Sequence, residues 1–160
     1  MEPGTRDIDQ LLHTYGESHQ NATNKLIHWV CVPSIMFSLL AMLYAIPFFA
    51  DRSLWANWAF VLLIAAWIYY ARLSLAMFFG FLLIGFAMLY GINALYAAAD
   101  YNPGKLAFYA LIIFVIAWIG QFIGHKIEGK QPSFLQDIQF LLIGPAWLLH
   151  FIFKRVGIGF

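Results

Sequence analysis

The sequence predicts an all-α fold, a polytopic membrane helical bundle. It has four long transmembrane helices, an N-terminal amphipathic helix and a broken C-terminal hydrophobic segment, in one integral-membrane domain over residues 1–160. Three observations predict it. Of the 160 residues, 62% are hydrophobic and only 11% are charged, against about 25% charged in a soluble domain. Mean hydropathy is +0.75, more apolar surface than a chain of this size can bury against itself. The apolar residues also fall in runs that approach the ~20 needed to span a bilayer. Such runs must be helical, because lipid offers no partner for an unpaired backbone group.

Each element has its own signal. Residues 1–22 are polar and carry Glu2, Asp7, Asp9 and Glu17, with no apolar stretch of the kind a cleavable signal peptide needs. Within them Ile8, Leu11, Leu12 and Tyr15 recur at helical spacing, the pattern of a short amphipathic helix lying on the membrane surface, stopped near Gly16. Asn21 or Thr23 caps the next helix. The first apolar run is Leu26 to Phe49. Asp51-Arg52-Ser53 turns the chain, with Ser53 a candidate cap, and Leu54 to Ala71 is the second run. Leu75 to Ala99 is the third, ended by Asp100 and Asn102-Pro103-Gly104. Leu106 to Gly124 is the fourth. A fifth stretch, Phe134 to Phe153, is interrupted by Gln136, Asp137 and Gln139, and Gly144-Pro145 breaks its middle. Gly80, Gly85 and Gly91 in the third run suit close helix packing.

Charge orients the bundle. With four crossings and a fifth segment that does not cross, seven of the nine Lys and Arg residues fall on one side: Arg6, Lys25, Arg72, Lys126, Lys130, Lys154 and Arg155. Only Arg52 and Lys105 fall on the other. The positive-inside rule places the seven, and both termini, in the cytoplasm.

Composition and motifs exclude many functions. A net charge of +1 gives no field for nucleic acid, and the single Cys31 allows neither an internal disulfide nor a cysteine-rich metal site. HxxxH, HExxH, GxSxG, Walker and GxGxxG patterns are all absent.

What remains is histidine. His19 and His28 flank the start of the first apolar run, His125 ends the fourth, and His150 lies late in the fifth. All of them approach one membrane face. His13 lies in the polar segment and is expected to be solvated. Imidazole is the commonest metal ligand, and ionisable groups in membrane segments are costly unless paired or functional. His19 and His28, nine residues apart, point to opposite sides of one straight helix. They meet only if His19 sits in a turn that folds back. Asn24 shares a helix face with His28, and Glu128 shares one with His125. The candidate site is therefore His19, Asn24, His28, His125 and Glu128, with His150 and Tyr15 nearby. On chemistry alone it suits a bound metal ion such as zinc, or a haem held by His28 and His125. A non-catalytic scaffold whose histidines anchor the interface is the plain alternative.

Two blocks narrow this. Tyr15-Gly-Glu-Ser-His19-Gln-Asn21-Ala-Thr-Asn24-Lys-Leu-Ile-His28, followed by Val32-Pro33, fits the pattern YxxxHxNxxNxxIHxxxVP. Gln121-Phe-Ile-Gly124-His125, running on to Glu128, Pro132, Asp137 and Gly144-Pro145, forms the second. Together they resemble the 2-hydroxy fatty acid dioxygenases, a family of fungal endoplasmic-reticulum and bacterial membrane proteins. The resemblance implies an Fe(II) cofactor, and O2 and a 2-hydroxy fatty acid as partners with membrane lipid around them. The product is a fatty acid one carbon shorter. His19, His28 and His125 match the family's iron histidines. Asn24 and Tyr15 would orient the imidazoles, and Lys25 or Lys126 would steady the substrate carboxylate. Glu128 stands three residues after His125 where the family often spaces four. His150 stands where the family often has Glu and is a candidate substitute ligand. The implied location is the bacterial inner membrane, or the endoplasmic reticulum in a eukaryote.

Overall fold

A computed structural model describes residues 7–17, 19–129 and 142–159. Six helices are seen among them: α1 (Asp7–Glu17), α2 (Ala22–Ala45), α3 (Trp58–Leu73), α4 (Leu75–Ala98), α5 (Pro103–Glu128) and α6 (Ile143–Val156). The protein is an all-α, multi-pass membrane bundle in which α2, α4 and α5 are long and apolar enough to cross. At 1.5 Å per residue they measure about 36–39 Å, beyond the ~30 Å hydrocarbon layer. Their outer faces keep large apolar side chains exposed, among them Val30, Phe79, Leu83 and Ile116, as a lipid-facing surface requires.

The helix ends follow local chemistry. Asn21, not Thr23, caps α2, its side chain accepting from the amides of Thr23 and Asn24. The helix stops at Ala45, four residues short of the end of the apolar run, because Pro47 disfavours helix at Ile46. α3 departs furthest from expectation. Ser53 caps only a turn, accepting from the Ala56 amide. Asn57 is the true cap, accepting from Phe60. Leu54, Trp55 and Ala56 therefore lie before the helix, and α3 has 16 residues, about 24 Å. Asn102 caps α5 with Pro103 at its first position, where a missing N–H costs nothing. Pro33 sits inside α2. Nearby Ser34 donates to the Val30 carbonyl, the kind of local bond that helps tolerate a helix-breaking residue in lipid.

The packing brings α2 and α5 together along their length, while α3 and α4 form a tight hairpin about Ser74. Close approaches use glycine: a side chain at Gly124 would collide with Asn24, and one at Gly85 would meet the Trp67 ring. α1 lays Ile8, Leu12 and Tyr15, all buried, against α6. Its apolar stripe thus has a protein partner. Pro145 does not break a described helix. It lies in the first turn of α6, where proline is tolerated. Gly144 abuts Tyr15 and Val32, while Leu149 and Phe153 press on Gly80 near the start of α4. Both halves of α6 therefore contact the histidine-bearing end of the bundle. Gln136, Asp137 and Gln139, expected to interrupt the fifth stretch, lie outside the described residues, as do Arg6, Lys130 and Pro132.

Candidate metal centre

The loop between α1 and α2 is the fold-back that the histidine spacing demands. The His19 amide donates to the Gly16 carbonyl at 3.0 Å, turning the chain before Asn21 starts α2. His19 thereby leans over the α2 face that carries His28. The last turn of α5 brings His125 alongside. Ring centroids of His125 lie 5.8 Å from His19 and 5.5 Å from His28. One nitrogen from each of the three rings falls within 4.8 Å of the others.

The tautomers are set by backbone. His19 Nδ1 donates to the Tyr15 carbonyl at 2.8 Å, and His28 Nδ1 donates to the Asn24 carbonyl at 3.0 Å. A carbonyl only accepts, so both Nδ1 atoms carry protons and both Nε2 atoms of the neutral rings present bare lone pairs. Those two Nε2 atoms face each other at 3.0 Å. Two lone pairs at this distance repel unless a cation lies between them. The donor set therefore fits a metal: three imidazoles, two of them locked by outer hydrogen bonds of the kind metal-ligating histidines make. His19 and His28 are both buried, which protects such a site from bulk water.

Aromatic rings hold His19 in place. Tyr15 stacks on it at 4.2 Å and 15°, and Trp147 of α6 closes the other approach at 5.5 Å. Trp147 escaped sequence reasoning, because an apolar residue in a broken apolar run carries no distinguishing signal.

Glu128 occupies a different place from the one its spacing to His125 suggested. Its carboxylate accepts from the amides of Gln20 (2.7 Å) and Asn21 (3.0 Å) and from Asn24 Nδ2 (2.8 Å). It closes the start of α2, where the helix dipole favours negative charge, and ties α5 to the loop that carries His19. His150 does not join the three histidines. It packs on Phe151 at 5.0 Å. Burial, with Lys154 close by, holds its pKa below the ordinary value. His13 is exposed, as expected.

Beside the histidines lies a small cavity of about 50 Å³, walled by Tyr15, His28, Val32, Met36, Gln121 and His125 among others. Lys25 and Lys126 are not part of its wall. A space this small, beside imidazoles gathered at one point, has no flat slot for a macrocycle, so the haem alternative is set aside. A second, larger and mainly apolar cavity of about 290 Å³ lies deeper, walled by Met36, Leu40, Leu63, Trp67, Tyr70 and Phe81 among others. The Tyr70 hydroxyl at its edge is already committed to the Leu142 carbonyl at 2.6 Å. His28, Val32, Met36 and Leu40 are spaced four apart and form one ridge of α2. Met36, about 12 Å along the helix from His28, is common to both cavities.

A helical membrane protein with a largely buried cluster of three histidines able to hold a metal, and an adjoining apolar cavity, defines a class: a lipid-handling, non-haem metalloprotein. Comparison with known proteins makes it specific. The family described as 2-hydroxy-palmitic acid dioxygenase Mpo1-like matches residues 5–156. The 2-hydroxy-palmitic acid dioxygenase MPO1 of Saccharomyces cerevisiae is 32% identical over 157 residues, covering 96% of this chain and 84% of the yeast protein. The chain belongs to the Mpo1-like dioxygenase family. No solved structure matches it.

Proposed function

We propose that this protein is an iron(II)-dependent membrane dioxygenase that converts a 2-hydroxy fatty acid and O2 to the fatty acid one carbon shorter. The observation that carries the reading is the convergence of His19, His28 and His125, the first two with their Nδ1 protons directed away, in a chain of this family. The stoichiometry closes without an outside reductant. A 2-hydroxy acid and O2 contain the atoms of the shortened acid, carbon dioxide and water, and the four electrons taken by O2 all come from the substrate. Iron supplies O2 activation and a point of chelation for the hydroxyl and carboxylate.

The chain's own residues do the rest. His19, His28 and His125 are the ligands, leaving other positions open. Tyr15 orients His19 through its carbonyl and its stacked ring, Asn24 orients His28 through its carbonyl, and Glu128 holds the loop between them. The small cavity takes the polar head of the substrate. The acyl chain continues past Met36 into the apolar cavity, which approaches the size of known lipid and drug pockets. Iron rather than zinc is favoured by the family, since a redox-inert metal gives no route to O2. α3 is the fourth crossing, and α6 stays on the histidine face. Lys25, Arg72, Lys126, Lys154 and Arg155 then lie on the cytoplasmic side with both termini, against Arg52 and Lys105 opposite.

The test is turnover. Detergent-purified protein loaded with iron under anaerobic conditions receives 2-hydroxypalmitic acid and then O2, and products are read by mass spectrometry. Pentadecanoic acid, formed in step with O2 uptake, is the expected result. Unchanged substrate in the iron-loaded protein would overturn the reading.

A further inference from the structure

Gln121 lies on α5 one turn before His125, on the same face. It is 5% exposed and forms part of the wall of the cavity beside the histidines. Its Oε1 is buried and has no hydrogen-bond partner. Buried side-chain oxygens without partners are uncommon in folded proteins, and each one calls for an explanation. An apolar residue would pack here at less cost, because leaving an amide oxygen unsatisfied is worth on the order of 1–3 kcal/mol. The surrounding wall is otherwise largely apolar, with Val32, Ile35, Met36 and Pro145. An unpartnered amide oxygen in such a wall is suited to a ligand that brings a donor.

The polar head of a 2-hydroxy acid has only one donor at neutral pH. Its carboxylate is ionised and only accepts, so an amide oxygen gains nothing from it. Its hydroxyl carries an O–H. We propose that Gln121 Oε1 accepts a hydrogen bond from the substrate's C2 hydroxyl, and so distinguishes 2-hydroxy fatty acids from unhydroxylated ones. The inference rests on the substrate reading above. It makes Gln121 a specificity-determining residue that touches substrate, distinct from the metal ligands. A site built to bond a hydroxyl discriminates far better than one that merely has room for it, since the wrong ligand leaves the acceptor buried and unpaired.

Binding without turnover tests it. Iron-loaded protein is held under strict anaerobiosis, and binding of 2-hydroxypalmitic acid and of palmitic acid is followed by quenching of tryptophan fluorescence, to which Trp118 in the cavity wall contributes. Wild type should favour the hydroxy acid by about tenfold or more. Gln121→Met keeps the length of the side chain and removes the acceptor. It should narrow that preference by about fivefold or more, through weaker binding of the hydroxy acid, what remains coming from the hydroxyl's contact with iron, with iron content unchanged. A preference undiminished in Gln121→Met overturns the role of Gln121 alone. Absence of any preference in wild type overturns both it and the substrate reading. If Gln121→Met does not survive extraction, 2-methoxypalmitic acid on wild type serves instead, because it keeps the ether oxygen and has no O–H to donate. Binding as tight as that of the 2-hydroxy acid overturns the proposal, and a fall toward palmitic acid supports it.

Discussion

The two ends of the bundle treat buried amides in opposite ways. At the far end Asn57 is fully buried and fully bonded. Its Nδ2 donates to the carbonyls of Ser53 and Leu54 at 2.8 and 3.0 Å, and its Oδ1 accepts from the Phe60 amide at 2.8 Å. Arg52 beside it donates from its two Nη atoms to the Ala45 carbonyl and the Tyr96 hydroxyl, finishing α2, while its buried Nε finds no partner. At the histidine end Asn24 and Gln121 are equally buried, yet each holds an oxygen with no partner. Two histidine nitrogens there face each other at 3.0 Å. The difference separates two uses of polarity inside a membrane protein. Satisfied groups end helices. Unsatisfied ones, grouped around one point, are arranged for something the chain itself does not contain.

That contrast can be broken experimentally. The largest effect is expected from Glu128→Gln, which weakens the clamp on the His19 loop while leaving all three histidines. Metal affinity should fall about 10–100-fold, as for other outer partners of metal ligands, measured by competition with a chelator. Asn57→Ala at the far end should instead lower stability by about 1 kcal/mol through loss of the α3 cap and leave metal affinity unchanged. Equal effects of both substitutions on metal affinity would erase the distinction between the ends.

A second substitution sharpens the division between head and tail of the substrate. Met36→Trp puts a larger side chain at the wall common to the two cavities. Turnover of long 2-hydroxy acids should drop about tenfold or more relative to that of short ones, with metal content preserved. A uniform loss at all chain lengths would place the acyl chain elsewhere.

The smallest effect concerns His150. Its pKa in the folded protein lies below the unfolded value near 6.5, so folding favours the neutral ring. Stability is therefore full above about pH 6.5 and declines as pH falls toward the folded pKa. His150→Leu should flatten this part of a Tm-against-pH curve by at most a few degrees, consistent with less than about 1 kcal/mol. It should leave metal content unchanged. Loss of metal in this variant would restore His150 as a ligand.

Much of this was legible in the residues. Apolar runs located the long helices to within a few positions, since hydropathy and the need for internal backbone bonding act locally. The nine-residue gap between His19 and His28 already required a turn before the helix, and Asn21 supplied the cap that ends it. The failures are equally physical. Leu54, Trp55 and Ala56 are apolar but belong to a turn, because Asn57 rather than Ser53 has the geometry to start α3. Glu128 shares a helix face with His125, but its partners come from the α1–α2 loop and the first turn of α2, more than 100 residues earlier. No spacing rule contains that contact. Trp147 and Gln121 gain their positions only when α6 and α5 close around the histidines.

The central claim is that His19, His28 and His125 hold one metal ion. Elemental mass spectrometry on detergent-purified, iron-reconstituted protein, wild type beside His28→Ala, tests it most directly. The account predicts about one iron per chain in wild type, as three imidazoles on one ion require, and almost none in the variant. Iron retained by His28→Ala, or no metal bound by wild type even after anaerobic addition of iron, would contradict it.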